Sequence, residues 1–93
     1  MDVEKINEVK KTINEEIRKN FGIHDDSDTK IADESDVFID LGADRLDLVE
    51  LIMELEDIFY ISISERACDS ITTVGDIYKV VIEELENKDR MDV

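Results

Sequence analysis

The stretch Asp40-Leu41-Gly42-Ala43-Asp44-Arg45-Leu46-Asp47-Leu48-Val49-Glu50-Leu51 decides the fold of this chain. Its first half has the glycine of a tight turn, and its second half begins an amphipathic helix predicted over 45–59. Asp44 is predicted to be the N-cap of that helix, and Asp47 lies in its first turn, where a carboxylate interacts favourably with the helix dipole. Arg45 stands at the first helical position and carries the opposite charge.

Two more long helices are predicted on either side of this segment. Residues 3–21 and 74–86 place apolar side chains at every third or fourth position, which is the period of a helix with one buried face. Gly22 is expected to end the first helix, and Thr73 with Asp76 forms an approximate capping box at the start of the last. The apolar stripes are Ile6, Val9, Ile13, Ile17 and Phe21 in the first helix, Leu46, Val49, Ile52, Met53, Leu55, Ile58 and Phe59 in the second, and Val74, Ile77, Tyr78, Val81, Ile82 and Leu85 in the last.

The remaining segments connect these helices. Residues 23–44 show no sustained period, and their scattered apolar residues predict an ordered loop held against a core. The segment 60–63 alternates like a strand but has no second strand to pair with, so an extended connection is expected. Ser64 is predicted to cap a short helix over 65–69, and residues 87–93 are predicted to be a charged tail. The anchors of the long loop are Ile31, Val37, Phe38 and Leu41.

Length and composition limit the class of protein. A chain of 93 residues with 42% hydrophobic content fits one domain, 1–93, and the helix pattern predicts an all-α bundle of three long helices and one short helix. A net charge of −15 disfavours binding to nucleic acid or anionic membranes and favours basic protein partners. One cysteine and one histidine predict neither an internal disulfide nor a metal cluster. We therefore expect a cytoplasmic protein that does not insert into membranes.

The central stretch resembles the acyl carrier protein signature Asp-Leu-Gly-Ala-Asp-Ser-Leu. Residues 49–56 and 71–74 support the resemblance, which covers the chain from about Ile6 to Leu85. It implies a small four-helix acyl-carrier-like bundle with a long first loop. In this family the serine carries 4′-phosphopantetheine, whose terminal thiol holds acyl groups as thioesters. A carrier delivers substrate and supplies no catalytic groups, so we expect no catalytic residues and no enzyme activity.

Arg45 occupies the position of the family's serine, with Asp44 and Leu46 on either side of it. A guanidinium group does not accept phosphopantetheine, so the cofactor is not expected on this chain. A cation at an exposed helix N-terminus costs about 0.3–1 kcal/mol. Pairing with Asp40, Asp44 or Asp47 is expected to offset a comparable amount. Two interpretations stay open: lost or redirected carrier activity, and a sequence change in an otherwise ordinary carrier.

Two other residues are weaker candidates for holding an acyl group or its arm. Ser70 lies in Asp69-Ser70-Ile71, which imitates Asp-Ser-Leu but lacks the preceding Leu-Gly-Ala and comes before the last helix. Cys68 has a thiol, the group that forms thioesters, but its place in the short helix favours a buried, small hydrophobic residue. We therefore expect neither residue to replace the missing serine.

The second helix carries an acidic face that is interrupted by apolar residues. Charges steer the encounter with a basic patch, and apolar side chains supply buried contacts. The acids are Asp44, Asp47, Glu50, Glu54, Glu56 and Asp57, whereas Leu55, Ile58 and Phe59 are predicted to belong to the core. The resemblance implies that acyl-chain biosynthetic enzymes and phosphopantetheinyl transferase dock on Asp44, Leu46, Asp47, Val49, Glu50, Met53 and Glu56.

Two functions are consistent with this sequence. The first is an acyl carrier protein of fatty acid or related acyl-chain biosynthesis, acting as a monomer but not modifiable at Arg45. The second is a carrier-derived scaffold that keeps the acidic docking helix and carries nothing. No metal site is predicted, because the acidic run 25–28 lacks the glycine and distant glutamate of a calcium-binding loop.

Overall fold

A computed structural model of the chain describes residues 1–23 and 31–91. Within these residues the chain forms four α-helices and no strand, which confirms the predicted all-α class. The helices are α1 (Val3–Asn20), α2 (Arg45–Phe59), α3 (Glu65–Asp69) and α4 (Val74–Met91). The acidic run 25–28, considered above as a calcium site, lies outside the described residues.

Both ends of α1 have hydrogen-bonded caps. The Asp2 carboxylate accepts a hydrogen bond from the Lys5 backbone N–H at 2.8 Å, which satisfies one of the free donors of the first turn. At the other end Gly22 adopts a φ of +69°, and the Ile23 N–H donates to the Arg18 carbonyl at 2.8 Å. A left-handed residue at this position reverses the chain, and glycine adopts it without steric cost. Gly22 therefore ends α1 as predicted.

The last helix is longer than the sequence pattern predicts. The apolar stripe fades after residue 86, so residues 87–93 were expected to be a tail, but α4 continues to Met91. Lysine, arginine and methionine are good helix formers, and residues 87–91 contain neither glycine nor proline. Lys88 also contacts the end of α2: its Nζ lies 3.4 Å from the Phe59 carbonyl oxygen and 5.3 Å from the centre of the Tyr60 ring.

One core joins all four helices and the long loop. The buried stripe of α2 is shifted from the predicted one because Leu48 and Leu51, which the pattern analysis omitted, are fully buried, whereas Ile58 is 40% exposed. Placing Ile58 in the core was therefore wrong, because it does not lie on the face of α2 that carries the buried residues. The buried residues are Val9, Ile13, Ile17, Val37, Leu41, Ala43, Leu48, Leu51, Ile52, Leu55, Cys68, Ile71, Val74, Ile77, Tyr78 and Val81.

Backbone hydrogen bonds hold residues 31–44 against the start of α4. The Val37 N–H donates to the Thr72 carbonyl at 2.9 Å, and the Val74 N–H donates to the Ser35 carbonyl at 3.0 Å. The Gly75 N–H donates to the Asp33 carbonyl at 2.8 Å, and a Cβ on residue 75 would lie only 3.1 Å from that carbonyl oxygen. The described part of the long loop is thus ordered as predicted, and its position is set by α4.

A polar cluster joins α1 to α2 beside the core. Asn20 donates from Nδ2 to the Glu54 carboxylate at 3.1 Å, and Lys19 Nζ lies 3.5 Å from the same oxygen. Burial and a hydrogen bond to Glu54 raise the pKa of Glu16. The hydrogen bond from Asn20 is the main cause that lowers the pKa of Glu54. The cluster therefore ties the C-terminal end of α1 to α2.

The start of α4 depends on Asp76. Its Oδ2 accepts hydrogen bonds from the Thr72 and Thr73 N–H groups at 2.9 and 3.0 Å, while its own N–H donates to Thr73 Oγ1 at 3.2 Å. The backbone donors of Thr73 and Thr72 hold the pKa of Asp76 below its ordinary value of 3.8. The capping box predicted from Thr73 and Asp76 is therefore present.

We predict that Asp76→Ala lowers the free energy of unfolding by about 1 kcal/mol at neutral pH, because it removes a helix cap. The lowered pKa means that the carboxylate stabilises the fold above pH 3.8, and that this contribution is lost as pH falls through the folded-state pKa. The difference between the parent and the variant should therefore shrink in acid. Urea unfolding followed by circular dichroism at several pH values measures it.

Asp57→Ala is the matched control, because it removes the same charge from an exposed position on α2. It should change stability little and with no comparable dependence on pH. A constant difference between Asp76→Ala and the parent from neutral pH to below 3.8 would contradict the assigned role of the Asp76 carboxylate.

Candidate functional site

The turn before α2 is built around Asp36. Its Oδ1 accepts hydrogen bonds from the Phe38 and Ile39 N–H groups, both at 2.8 Å, and its own N–H donates to Asp40 Oδ2 at 2.7 Å. An aspartate that binds the N–H groups two and three residues later stabilises a tight turn. Gly42 then takes a φ of +72°, which reverses the chain toward α2. Asp36 was not predicted to shape this site, although an aspartate that precedes a turn is a usable signal in the sequence.

A reciprocal capping box begins α2. The Asp44 carboxylate accepts a hydrogen bond from the Asp47 N–H at 2.8 Å, and the Asp47 carboxylate accepts one from the Asp44 N–H at 3.1 Å. This arrangement confirms Asp44 as the N-cap and gives Asp47 a second role beyond its charge. Residue 45 is consequently the first residue of the helix, and its side chain is 55% exposed.

The ion-pair partner of Arg45 lies outside its own segment. Its guanidinium forms a hydrogen-bonded ion pair with Asp69 at the end of α3, and both side chains are more than half exposed. Pairing with Asp40, Asp44 or Asp47 was expected, but the carboxylates of these three residues accept hydrogen bonds from backbone N–H groups instead. The sequence carries no local signal for Asp69, because the pair joins residues 24 positions apart.

The face of α2 that follows Arg45 is partly apolar and open to solvent. Leu46 is 65% exposed, Met53 is 59% exposed and Val49 is 36% exposed, and Glu50 lies exposed among them. These positions recur at three or four residues, so they form one stripe along the helix. Large apolar residues grouped on an exposed stripe often mark an interaction surface. Ile39, which the sequence analysis did not single out, is also 82% exposed in the turn before α2.

Two of the predicted surface acids have partners within the fold. The Glu56 Oε2 accepts a hydrogen bond from the Ile63 N–H at 2.8 Å and thereby ties α2 to the connection before α3. Glu54 belongs to the cluster with Lys19 and Asn20 described above. Glu56, which was predicted as a partner-docking residue, therefore also makes a structural contact within the fold. Glu50 and Asp57 remain exposed without a described partner.

The two alternative attachment residues lie near Arg45 in space. Ser70 follows Asp69, and its hydroxyl donates to the Ala67 carbonyl at 2.7 Å as it caps the end of α3. Cys68 is 9% exposed, as the small-hydrophobe interpretation predicts. Burial raises the pKa of the Cys68 thiol, although the Arg45 guanidinium opposes the shift, so the nucleophilic thiolate is disfavoured at neutral pH.

Among the residues that the structure describes, no group of three or more histidine, cysteine, aspartate or glutamate side chains is placed to hold a metal ion. No helix in the same residues has the length and apolar content needed to cross a bilayer.

Comparison with known proteins identifies the family of the chain. The family model described as the phosphopantetheine attachment site matches residues 11–81. A Mycobacterium tuberculosis protein described as an acyl carrier protein is 39% identical, with a TM-score of 0.72 over 81% of this chain and 96% of its own. The acyl carrier protein of Thermotoga maritima is 29% identical, with a TM-score of 0.68 over 86% of this chain and 93% of its own.

The match spans α2, α3, the second half of α1 and about the first half of α4, and therefore includes the turn, the capping box and the exposed stripe. Sequence identity of 39% over most of both chains accompanies the structural similarity. The chain belongs to the phosphopantetheine attachment family, which includes the acyl carrier proteins.

Proposed function

We propose that this chain acts as a cytoplasmic, monomeric carrier-type protein in fatty acid or related acyl-chain biosynthesis, with its attachment position closed by Arg45. It meets basic surfaces of partner enzymes through α2. With serine at position 45 it would carry 4′-phosphopantetheine and deliver thioester-bound acyl groups. With arginine there, it presents the docking surface of a carrier without the arm.

The observation that carries this proposal is the place of residue 45. It follows the N-cap directly, its side chain is exposed, and the hydrogen bonds of the capping box do not involve it. A group attached here would lie at the positive end of the α2 dipole, which favours a phosphodiester. The residues around the position thus fit the cofactor, while the arginine side chain itself offers no hydroxyl to accept it.

Support for partner docking comes from the stripe formed by Leu46, Val49, Glu50 and Met53. Leu46, Val49 and Met53 are exposed apolar residues, and Glu50 adds a negative charge among them. The chain as a whole has a net charge of −15. Complementary charge speeds the encounter of two proteins, and buried apolar anchors prolong the complex. A basic enzyme surface with an apolar centre is the partner that this stripe fits.

The second candidate is a scaffold that binds such enzymes and carries nothing. The Arg45–Asp69 ion pair favours it, because the arginine has a defined partner that joins α2 to α3. An exposed ion pair of this kind contributes about 0–1 kcal/mol, so it restrains the guanidinium without being needed for folding. The two candidates predict different behaviour when serine replaces Arg45.

We predict that Arg45→Ser makes the chain a substrate for phosphopantetheinyl transferase. Incubation of the parent and the variant with coenzyme A and the transferase, followed by mass spectrometry, should show the phosphopantetheine adduct only on Arg45→Ser. The variant should fold, because the lost surface ion pair costs no more than about 1 kcal/mol.

Arg45→Ala is the matched control, since it removes the same side chain without adding a hydroxyl, and it should stay unmodified. If Arg45→Ser gains no phosphopantetheine adduct while the parent chain still binds the transferase, the scaffold function is favoured over that of a carrier with a blocked attachment position. An adduct on the parent chain would contradict the assignment of position 45, and peptide mapping would then test Ser70.

We also predict that Glu50→Lys weakens binding of purified phosphopantetheinyl transferase. The substitution reverses a charge at the centre of the exposed stripe, so the association rate should fall several-fold at low salt, with a smaller effect at high salt. Surface plasmon resonance at two salt concentrations measures both rates.

Glu83→Lys makes the same change of charge on the exposed side of α4 and serves as the control. Equal loss of binding in the two variants would mean that only net charge matters, and the proposal of a docking stripe on α2 would fail. Circular dichroism checks that both variants keep the helical content of the parent.

A further inference from the structure

A groove of about 510 Å³ lies between α1 and α4, away from the carrier site. It is open to solvent, and its lining combines positive, amide and hydroxyl groups. The lining residues are Asn7, Lys10, Lys11, Asn14, Glu15, Arg18 and Tyr78. Three positive side chains and one carboxylate line the groove, so its lining has the opposite sign to the chain as a whole, which carries −15.

Contacts within the groove hold part of this lining in place. Arg18 donates from Nε to Asn14 Oδ1 at 3.2 Å, and Asn14 donates from Nδ2 to the Tyr78 hydroxyl at 3.4 Å. Lys10 Nζ lies 5.5 Å from the centre of the Tyr78 ring. Side chains that are already ordered lose less conformational entropy when a ligand binds. The ion pairs found among the described residues do not include Lys10 or Lys11.

The groove and the α2 stripe lie on different sides of α1. Asn20 and Lys19 of α1 face α2, as their contacts with Glu54 show, whereas Asn14 and Lys10 face α4 through Tyr78. Binding at the groove therefore does not require the acidic surface of α2, and the two surfaces attract partners of opposite charge.

We propose that this groove is a second docking surface, which binds an acidic segment of a partner protein. Lys11 and Arg18 are seven residues apart, so they are separated by about 10 Å along the helix. A single phosphate is too small to reach both. Carboxylates repeated every three or four residues on a partner helix match this spacing. Large polyanions such as nucleic acid are repelled by the rest of the chain, whereas a short acidic segment needs only local contact.

Titration of the ¹⁵N-labelled chain tests this proposal. The probe is an alanine-based helical peptide with glutamate at every third or fourth position, and the same peptide with glutamine is its control. We expect the amide resonances of Asn7, Lys11, Asn14 and Arg18 to shift saturably with the glutamate peptide alone. Lys11→Glu should weaken this binding about tenfold, which corresponds to about 1.4 kcal/mol.

Lys5→Glu is the matched variant, because it makes the same charge change at an exposed position of α1 outside the groove. It should leave binding almost unchanged, and Lys11→Gln, a milder change at the same position, should weaken binding less than Lys11→Glu does.

Several results would overturn the proposal. Among them are the absence of saturable shifts, equal shifts with the glutamine peptide, and equal weakening by Lys5→Glu and Lys11→Glu. Pyrophosphate that moves the same resonances at lower concentration than the peptide would replace the partner segment with a phosphate-bearing ligand. Loss of binding at α2 would have no bearing on this result, because the groove residues are not part of the carrier site.

Discussion

The reciprocal hydrogen bonds between Asp44 and Asp47 are the constraint on which the functional end of this protein depends. They satisfy two backbone donors and set the residue at which α2 begins. Because residue 45 follows the cap, its side chain must leave the helix at the exposed end. The turn before it is held separately by Asp36 and by the backbone hydrogen bonds that join residues 31–44 to the start of α4.

Arg45 occupies an exposed position at the start of α2, where the fold places few demands on the side chain. The attachment position of a carrier protein must be exposed, and an exposed position contributes little to the stability of the core. The arginine therefore needs only a place for its charge, and Asp69 on α3 supplies one. The surrounding geometry still belongs to the phosphopantetheine attachment family.

The distribution of charge also separates two surfaces. Acids on α2 are of two kinds, since Glu54 and Glu56 make contacts within the fold, whereas Glu50 and Asp57 stay exposed. Three positive residues of α1, Lys10, Lys11 and Arg18, line the groove beside α4, whereas Lys19 pairs with Glu54 of α2. Local screening makes such patches nearly independent of the net charge, because the Debye length at physiological salt is about 8 Å. A small acidic protein can accordingly offer both signs of charge to its partners.

Local patterns in the sequence were enough to predict the helical class, the starts of all four helices, the stop at Gly22 and the cap at Asp44. Each of these features depends on side chains within a few residues of one another, so it can be predicted from the local sequence. The same patterns did not identify the Arg45–Asp69 pair, the exposed position of Ile58, the contact of Glu56 with Ile63 or the length of α4. Those features arise when segments far apart in the chain come together, and only the tertiary packing determines which charges meet and which faces stay open.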